Sequence, residues 1–139
     1  MMLRPAIVLA AMLVLASLTN LRAEQETDSA AIQTVISDQI AAFQAGDGER
    51  AYGHAAPSIK RLFPTVGIFM QMVEQGYEPV FRPRSFAFID QQVGSDDAVQ
   101  YVDLVGPDGA AWIAMYTLKR QPDGSWKITG CRLKPATGV

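Results

Sequence analysis

The chain has 139 residues, with 12 basic and 14 acidic side chains and a formal net charge of −2. This length suggests one domain, and a mildly acidic surface is a poor match for nucleic acid, whose phosphates favour basic proteins. The single cysteine, Cys131, cannot form an internal disulfide. A metal site built on Cys131 and the single histidine, His54, would need carboxylate ligands as well, and no spacing in the sequence suggests them. We therefore expect no metal and no cofactor.

The N-terminal segment has the pattern of a secretory signal peptide. Arg4 precedes the apolar run "AIVLAAMLVLASLT", and the polar stretch "NLRAEQETD" follows. The run is short for a bilayer span, so a retained N-terminal anchor is the weaker alternative. We predict cleavage after Ala23, although Leu21 is bulky for the position that it occupies. The prediction is an exported domain over 24–139, in the bacterial periplasm or secreted, with no stable membrane span after cleavage.

The first predicted helix of the domain runs from Thr27 to Ala45. Its apolar residues recur at steps of three and four, which places them on one helical face. Gly46 is a natural C-terminal stop. The plausible N-caps are Thr27, Asp28 and Ser29, and the apolar face consists of Ile32, Val35, Ile36, Ile40 and Phe43.

Shorter helices are predicted over 48–54 and 58–63, because Gly53 and Pro57 interrupt the pattern there. A second long helix is predicted over 65–76, with Thr65 as its N-cap.

After Gly76 the pattern changes to that of strands. The stretches "GSDDA", "GPDGA" and "QPDGS" are turn signals spaced about a dozen residues apart. The segments between them predict strands over 85–93, 98–105, 110–120 and 125–134. Short turns make neighbouring strands antiparallel, so we expect a four-stranded meander. A short additional edge strand is expected over 79–83.

The third predicted strand, "AAWIAMYTLK", is apolar on both faces. Trp112, Tyr116 and Leu118 share one face, while Ile113 and Met115 share the other. A strand of this kind is covered on both sides. Helices can cover one face, so the other predicts a contact with a partner or a homodimer.

Helices followed by a meander indicate an α+β domain, with the helices closing a curved antiparallel sheet into a cone. The ending "YTLKRQPDGSWKITGCRL" resembles the nuclear transport factor two-like (cystatin-like, SnoaL/ketosteroid-isomerase-like) superfamily. The stretches "GYEPV", "GPDGAAWIAMYTLKR" and "DGSWKITGCRL" are similar to the bacterial family called Domain of Unknown Function 4864. The resemblance implies the cone fold over residues 28–134, and it implies no catalytic residues.

Strand alternation predicts the two faces of the closing strand. Trp126 and Ile128 are expected to point toward the helices, together with Gly130 and Arg132. Cys131 and Leu133 then take the other face. Gly130 is also a candidate for a bulge, and Trp126 is a natural core anchor.

A cone of this kind predicts a small-molecule cavity with mostly apolar walls and a few polar tips. The residues expected to point inward and bind a ligand are Tyr52, His54, Phe69, Met72, Tyr101, Asp103, Trp112 and Tyr116. No carboxylate at a useful spacing orients His54. The fold resemblance also implies an enzyme alternative, because the steroid isomerase branch uses an aspartate base and a tyrosine, for which Asp103 and the tyrosines supply residue types.

Three functions therefore remain open from the sequence. The first is an exported, noncatalytic domain that binds a small apolar or amphipathic molecule. The second is an interaction or self-association module that uses the sheet. The third is a small-molecule isomerase or dehydratase. A separate feature is the group of three arginines formed by Arg82, Arg84 and Arg132. Guanidinium groups can bind a carboxylate or phosphate, but the simpler interpretation is a solvated sheet edge that prevents strand pairing.

Overall fold

The computed structural model describes residues 5–136, with side chains described from residue 14 onward. The chain is an α+β domain in which helices cover one face of a four-stranded antiparallel sheet of order β1-β2-β3-β4. The helices are α1 (Pro5–Ala45), α2 (Gly48–Gly53), α3 (Pro57–Leu62), α4 (Val66–Gly76) and α5 (Glu78–Phe81). The strands are β1 (Ser85–Val93), β2 (Asp97–Val105), β3 (Ala111–Arg120) and β4 (Trp126–Pro135). The predicted meander is confirmed.

Helix α1 is much longer than predicted. It begins at Pro5 and runs through Thr27, Asp28 and Ser29 without a break, so the prediction that one of these residues caps its start is wrong. The leader-like segment is built from Ala, Leu, Met and Val, and no glycine or proline interrupts it before Gly46. The predicted end is confirmed, since Gly46 follows the helix at φ 69°. Arg4 lies outside the described residues.

Helices α2 and α4 each begin after a capping side chain, whereas α3 and α5 have a proline in the first turn and no side-chain cap. The Asp47 carboxylate accepts a hydrogen bond from the Arg50 N–H at 3.2 Å, and the Thr65 hydroxyl accepts one from Ile68 at 3.2 Å. The bounds of α2, α3 and α4 confirm the predicted helices over 48–54, 58–63 and 65–76 to within one residue at each end.

The predicted edge strand over 79–83 is wrong. This segment is the single-turn helix α5, in which Pro79 occupies the first turn and Val80 and Phe81 are buried. A proline is tolerated in the first turn of a helix because its missing N–H would have no intrahelical partner there.

The predicted strands are confirmed to within one residue at each end. Two of the predicted turns place a glycine at positive φ, Gly109 and Gly124, both at 87°. The core fills the space between the packed part of α1 and the inner face of the sheet. Its fully buried members include Ile32, Ile36, Ile40, Phe43, Val102, Leu104, Ala114, Tyr116 and Leu118.

A bulge in β4 changes which of its residues face the core. Ile128 pairs with Leu118 and Gly130 pairs with Thr117, so Thr129 is an extra residue on β4. Trp126 and Ile128 are buried, as predicted.

Beyond the bulge, Cys131 and Leu133 pack against the core while Arg132 is exposed. The prediction that Gly130 and Arg132 share the inner face is wrong, because one additional residue reverses the alternation. The suspected bulge near Gly130 is confirmed.

The linker between α2 and α3 lies along the free edge of β4. Ala55 forms a parallel bridge with Ile128. The Ile128 N–H donates to the His54 carbonyl at 2.8 Å, and the Ala56 N–H donates to the Ile128 carbonyl at 2.8 Å. These bonds tie the helical layer to the last strand.

Candidate functional site

A cavity lies between the helical layer and the bulged edge of the sheet. Its volume is about 670 Å³, within the range of small-molecule sites. Helices α1, α3, α4 and α5 and the linker after α2 form one wall, and β3 and β4 form the other. The helical wall includes Phe43, Ile59, Phe63, Phe69, Met72, Val73, Tyr77 and Val80.

Helix α4 supplies three of these side chains at helical spacing. Phe69, Met72 and Val73 lie on one face, and Phe69 and Val73 are buried. Phe69 is also part of an aromatic cluster, with its ring centroid 6.1 Å from that of Phe43 and 5.2 Å from that of Tyr52. This cluster fixes the position of α4 over the cavity.

Tyr116, on the inner face of β3, is the main polar group at this site. Only 1% of the residue is exposed, it lines the cavity, and its hydroxyl has no hydrogen-bond partner among the described residues. Burial raises the pKa of Tyr116, and the neighbouring Cys131 adds to this. The hydroxyl is therefore protonated. A buried hydroxyl without a partner is costly, so this proton is available to a ligand.

Cys131 is the cross-strand neighbour of Tyr116. Burial raises the pKa of its thiol to about 12. A neutral thiol is a weak hydrogen-bond partner, and no bond of ordinary geometry joins it to the Tyr116 hydroxyl. Cys131 is therefore a soft wall residue, as the sequence suggests, and not a nucleophile.

Gln39 on α1 adds a second polar group to the cavity. Its Nε2 donates to the Ala51 carbonyl at 3.1 Å, which fixes the orientation of the amide because only the nitrogen can donate. The oxygen Oε1 is then the atom that remains for other partners.

The cavity lining carries one charge among the described residues, the Arg132 guanidinium at the exposed rim. Leu62 of α3, with 71% of its surface exposed, also lies at the rim. The interior is thus apolar with neutral polar tips, and a cation is placed at its mouth.

Three of the eight residues predicted to bind a ligand line this cavity: Phe69, Met72 and Tyr116. Trp112 faces the same side of the sheet as Tyr116 and packs against the core, but it does not line the cavity. The predicted set is therefore not brought together.

Tyr101 and Asp103 do not point into the cone as predicted. In β2 the buried residues are Ala98, Gln100, Val102 and Leu104. Tyr101 and Asp103 alternate with them and lie on the outer face, where Asp103 is exposed. The inward prediction was wrong because β2 carries apolar residues on both faces, and alternation alone could not say which face the helices cover.

Tyr52 and His54 belong to the layer over the cavity without lining it. The Tyr52 hydroxyl donates to the Phe63 carbonyl at 2.6 Å, so it is already satisfied. His54 Nε2 lies 2.6 Å from Asp38 Oδ2. Asp38 is thus the orienting carboxylate that the sequence did not reveal, since it lies on α1, far from His54 along the chain.

Arg50 completes this cluster with a bidentate contact to Asp38. The hydrogen bonds from Arg50 and then from His54 hold the pKa of Asp38 well below its usual range. The three side chains are partly exposed to solvent and lie outside the cavity. They tie α1 to α2 and to the linker. No cluster of three metal-ligating side chains occurs among the described residues.

Comparisons with known proteins agree with this architecture. A model of the family described as "Domain of unknown function (DUF4864)" matches residues 25–139. The chain belongs to the DUF4864 family. A search of curated proteins found no match.

A solved structure supports the fold of this DUF4864 protein. An NTF-2-like protein of unknown function from Silicibacter pomeroyi DSS-3 superposes with a TM-score of 0.55 at 17% identity. The match covers 80% of this chain and 98% of the other. At that identity the likeness shows the NTF2-like fold and nothing about ligands.

Proposed function

We propose that this DUF4864 domain is a noncatalytic, exported binding protein that holds a small apolar or amphipathic molecule in its cavity. The observation that carries the proposal is the Tyr116 hydroxyl, which is buried and has no hydrogen-bond partner in the part of the chain that the structure describes. A domain built only for packing has no reason to retain that hydroxyl, because phenylalanine would fill the same space without an unsatisfied donor. A ligand oxygen would satisfy it.

The composition of the cavity wall favours binding over catalysis. The described lining residues include no aspartate, glutamate or histidine. An isomerase or dehydratase needs a group that takes up a proton near pH 7. The raised pKa values of Tyr116 and Cys131 keep both groups protonated at that pH. The Asp38–His54 pair lies outside the cavity.

Fluorescence titration with the apolar probe phenylnaphthylamine tests the proposal. Met72→Trp places a large ring into the cavity and should weaken binding of the probe at least about tenfold, since overfilling a pocket removes contact area. Gln71→Trp is the matched control, with the same new residue on the exposed side of α4. No binding to the wild-type protein, or equal loss in both variants, would remove the cavity as a site.

Export is the second part of the proposal. The apolar residues Val14, Leu15, Leu18 and Leu21 are each more than half exposed on α1. Exposed apolar side chains of this kind are expected for a segment that is not part of the folded domain. The family match supports the same boundary, because it begins at residue 25, just after the predicted cleavage site. No helix in the described part of the chain is long and apolar enough to cross a membrane.

Intact-mass analysis of the protein from the envelope of its source cell tests export. The expected N-terminus is Glu24 or a residue close to it. Recovery of the full-length chain from the cytoplasm would contradict the proposal.

Self-association through the outer face of the sheet is a second candidate function. One row across the sheet contains Asp103, Ile113 and Lys134, and the next contains Tyr101, Met115 and Arg132. An apolar strip thus has acidic and aromatic residues on one side and basic residues on the other.

A two-fold axis parallel to β3 would join this face to a second copy of itself. Rotation about this axis leaves each row at the same height along the strands and reverses its order across the sheet. Asp103 would therefore face Lys134 of the second copy. Ile113 and Met115 would then pack against their own equivalents at the spacing of stacked sheets.

Light scattering of charge variants tests this arrangement. Ile113→Lys should give a monomer, because it buries a charge in the strip. Asp103→Lys and Lys134→Asp should each weaken the dimer, and the double exchange should restore it. Glu74→Lys on the exposed surface of α4 is the control for net charge. A wild-type protein that stays monomeric at high concentration rules this function out.

A further inference from the structure

Two of the polar residues that line the cavity, Tyr116 and Arg132, lie on opposite sides of the β3–β4 ladder. Tyr116 pairs with Cys131 on one rung, and Met115 pairs with Arg132 on the adjacent rung. Neighbouring residues in a strand point to opposite faces. Only 1% of Tyr116 is exposed, so we call the buried part of the cavity around it the inner end; Arg132 is exposed, so we call the rim that it lines the outer end.

The inner end excludes a charged group. Tyr116 is almost completely buried, and no cation lines the cavity there among the described residues. Moving a carboxylate from water into such surroundings is costly unless a cation pairs with it. The group that accepts a hydrogen bond from the Tyr116 hydroxyl must therefore be a neutral oxygen, such as that of a ketone, ester or ether.

The outer end favours an anion. Arg132 is exposed and lines the mouth, and a guanidinium binds a carboxylate through two parallel hydrogen bonds. The last turn of α3, which borders the same mouth through Leu62, carries Lys60 and Arg61. Glu74 on α4 is exposed and does not line the cavity.

We infer that the ligand class is an amphipathic monocarboxylate with a neutral oxygen on its apolar part. The carboxylate binds Arg132 at the mouth, the apolar part fills the space between α4 and β4, and the neutral oxygen accepts from Tyr116. This inference rests on the proposed function, because it names the occupant of the same cavity.

Isothermal titration of the full-length protein with three related probes tests the inference. The probes are oxolauric acid with its ketone in the terminal third of the chain, lauric acid without a ketone, and the methyl ester of the oxo acid. The oxo acid should bind most tightly. Losing the ketone or the charge should each weaken binding about five- to tenfold, which corresponds to one hydrogen bond.

Variants assign each loss to its residue. Tyr116→Phe should lower affinity for the oxo acid to that of lauric acid and leave lauric acid unchanged. Arg132→Gln should lower affinity for both acids and leave the ester unchanged. Lys134→Gln, two residues further along the same face of β4, is the matched control and should change nothing. Tyr116→Phe removes an unpaired hydroxyl, so it should fold as well as the wild type.

The outcomes separate the two proposals. If phenylnaphthylamine binds in the cavity but the three lauric probes bind equally well, the ligand class is wrong and cavity binding stands. The same holds if Lys134→Gln weakens the acids as much as Arg132→Gln. If neither the dye nor any lauric probe binds, both proposals fall.

Discussion

The two halves of α1 have the same secondary structure and opposite surroundings. In the packed half, residues 28–45, Ile32, Ile36 and Ile40 are fully buried against the sheet. In the free half, residues 14–27, apolar side chains such as Leu18 are more than half exposed. The free half is helical because its residues favour helix, whereas the packed half is held by tertiary contacts. Helicity alone therefore does not mark where the domain begins.

The boundary between the halves is set by side-chain contacts at Asp28. Its carboxylate accepts hydrogen bonds from Arg120 at 2.5 Å and from the Trp126 indole N–H at 3.4 Å. The Arg120 guanidinium lies 4.6 Å from the centre of the Trp126 ring. This cluster attaches the start of the packed half to the ends of β3 and β4.

The largest difference between the halves is expected for truncation of apolar side chains. Ile36→Ala should lower the free energy of unfolding by about 2–5 kcal/mol, because it leaves a cavity in the core. Leu18→Ala should change it by less than about 0.5 kcal/mol, since the leucine is exposed. Urea denaturation of the full-length chain measures both. Similar losses for the two variants would show that the free half is packed in solution.

Asp28→Asn tests the boundary itself, with an expected loss of about 1–2 kcal/mol from a partly buried, charge-assisted pair. The hydrogen bond from Arg120 is the main cause that lowers the pKa of Asp28. A carboxylate of this kind stabilises the fold above its unfolded pKa, and that contribution is lost as pH falls through the lower, folded value.

Urea titrations at neutral pH and in acid check the sign. The wild-type protein should lose more stability on acidification than Asp28→Asn does. Glu26→Gln, in the free half, is the control. An acid response that is identical in the wild type and Asp28→Asn would mean that the pair with Arg120 does not stabilise the fold.

The smallest effect is expected from deletion of most of the free half. A chain that starts at Glu24 should unfold within about 0.5 kcal/mol of the full-length chain, because the deleted side chains that the structure describes make no core contacts. Thermal unfolding in parallel with the full-length protein measures this. A decrease of several degrees would assign a structural role to the leader-like segment.

Periodicity in the sequence predicted most of the fold. The strands, the turn glycines and α4 with its Thr65 cap follow from local patterns, and the structure confirms them. The start of α1 could not be predicted in this way, because the apolar run that matches the pattern of a signal peptide is also built from residues that favour a helix. The edge strand at 79–83 was wrong because Pro79 fits a helix start as well as a strand edge.

The cavity was less predictable than the fold. Phe69, Met72 and Tyr116 were found because their periodicity placed them on the inner face. Asp103 was misplaced because both faces of β2 carry apolar residues. Arg132 was placed on the wrong face because its direction depends on the bulge: Gly130 indicated a bulge nearby, but the sequence did not show that Thr129 is the additional residue.

The bridge between Ala55 and Ile128 has a consequence for the order of assembly during synthesis. The linker that contains Ala55 leaves the ribosome long before β4, yet its hydrogen-bond partner is in this final strand. The apolar stripe of α1 likewise has no sheet to pack against until the meander is made. The linker therefore cannot form these hydrogen bonds, and the helical layer cannot close over β4, until the C-terminal strand has been made.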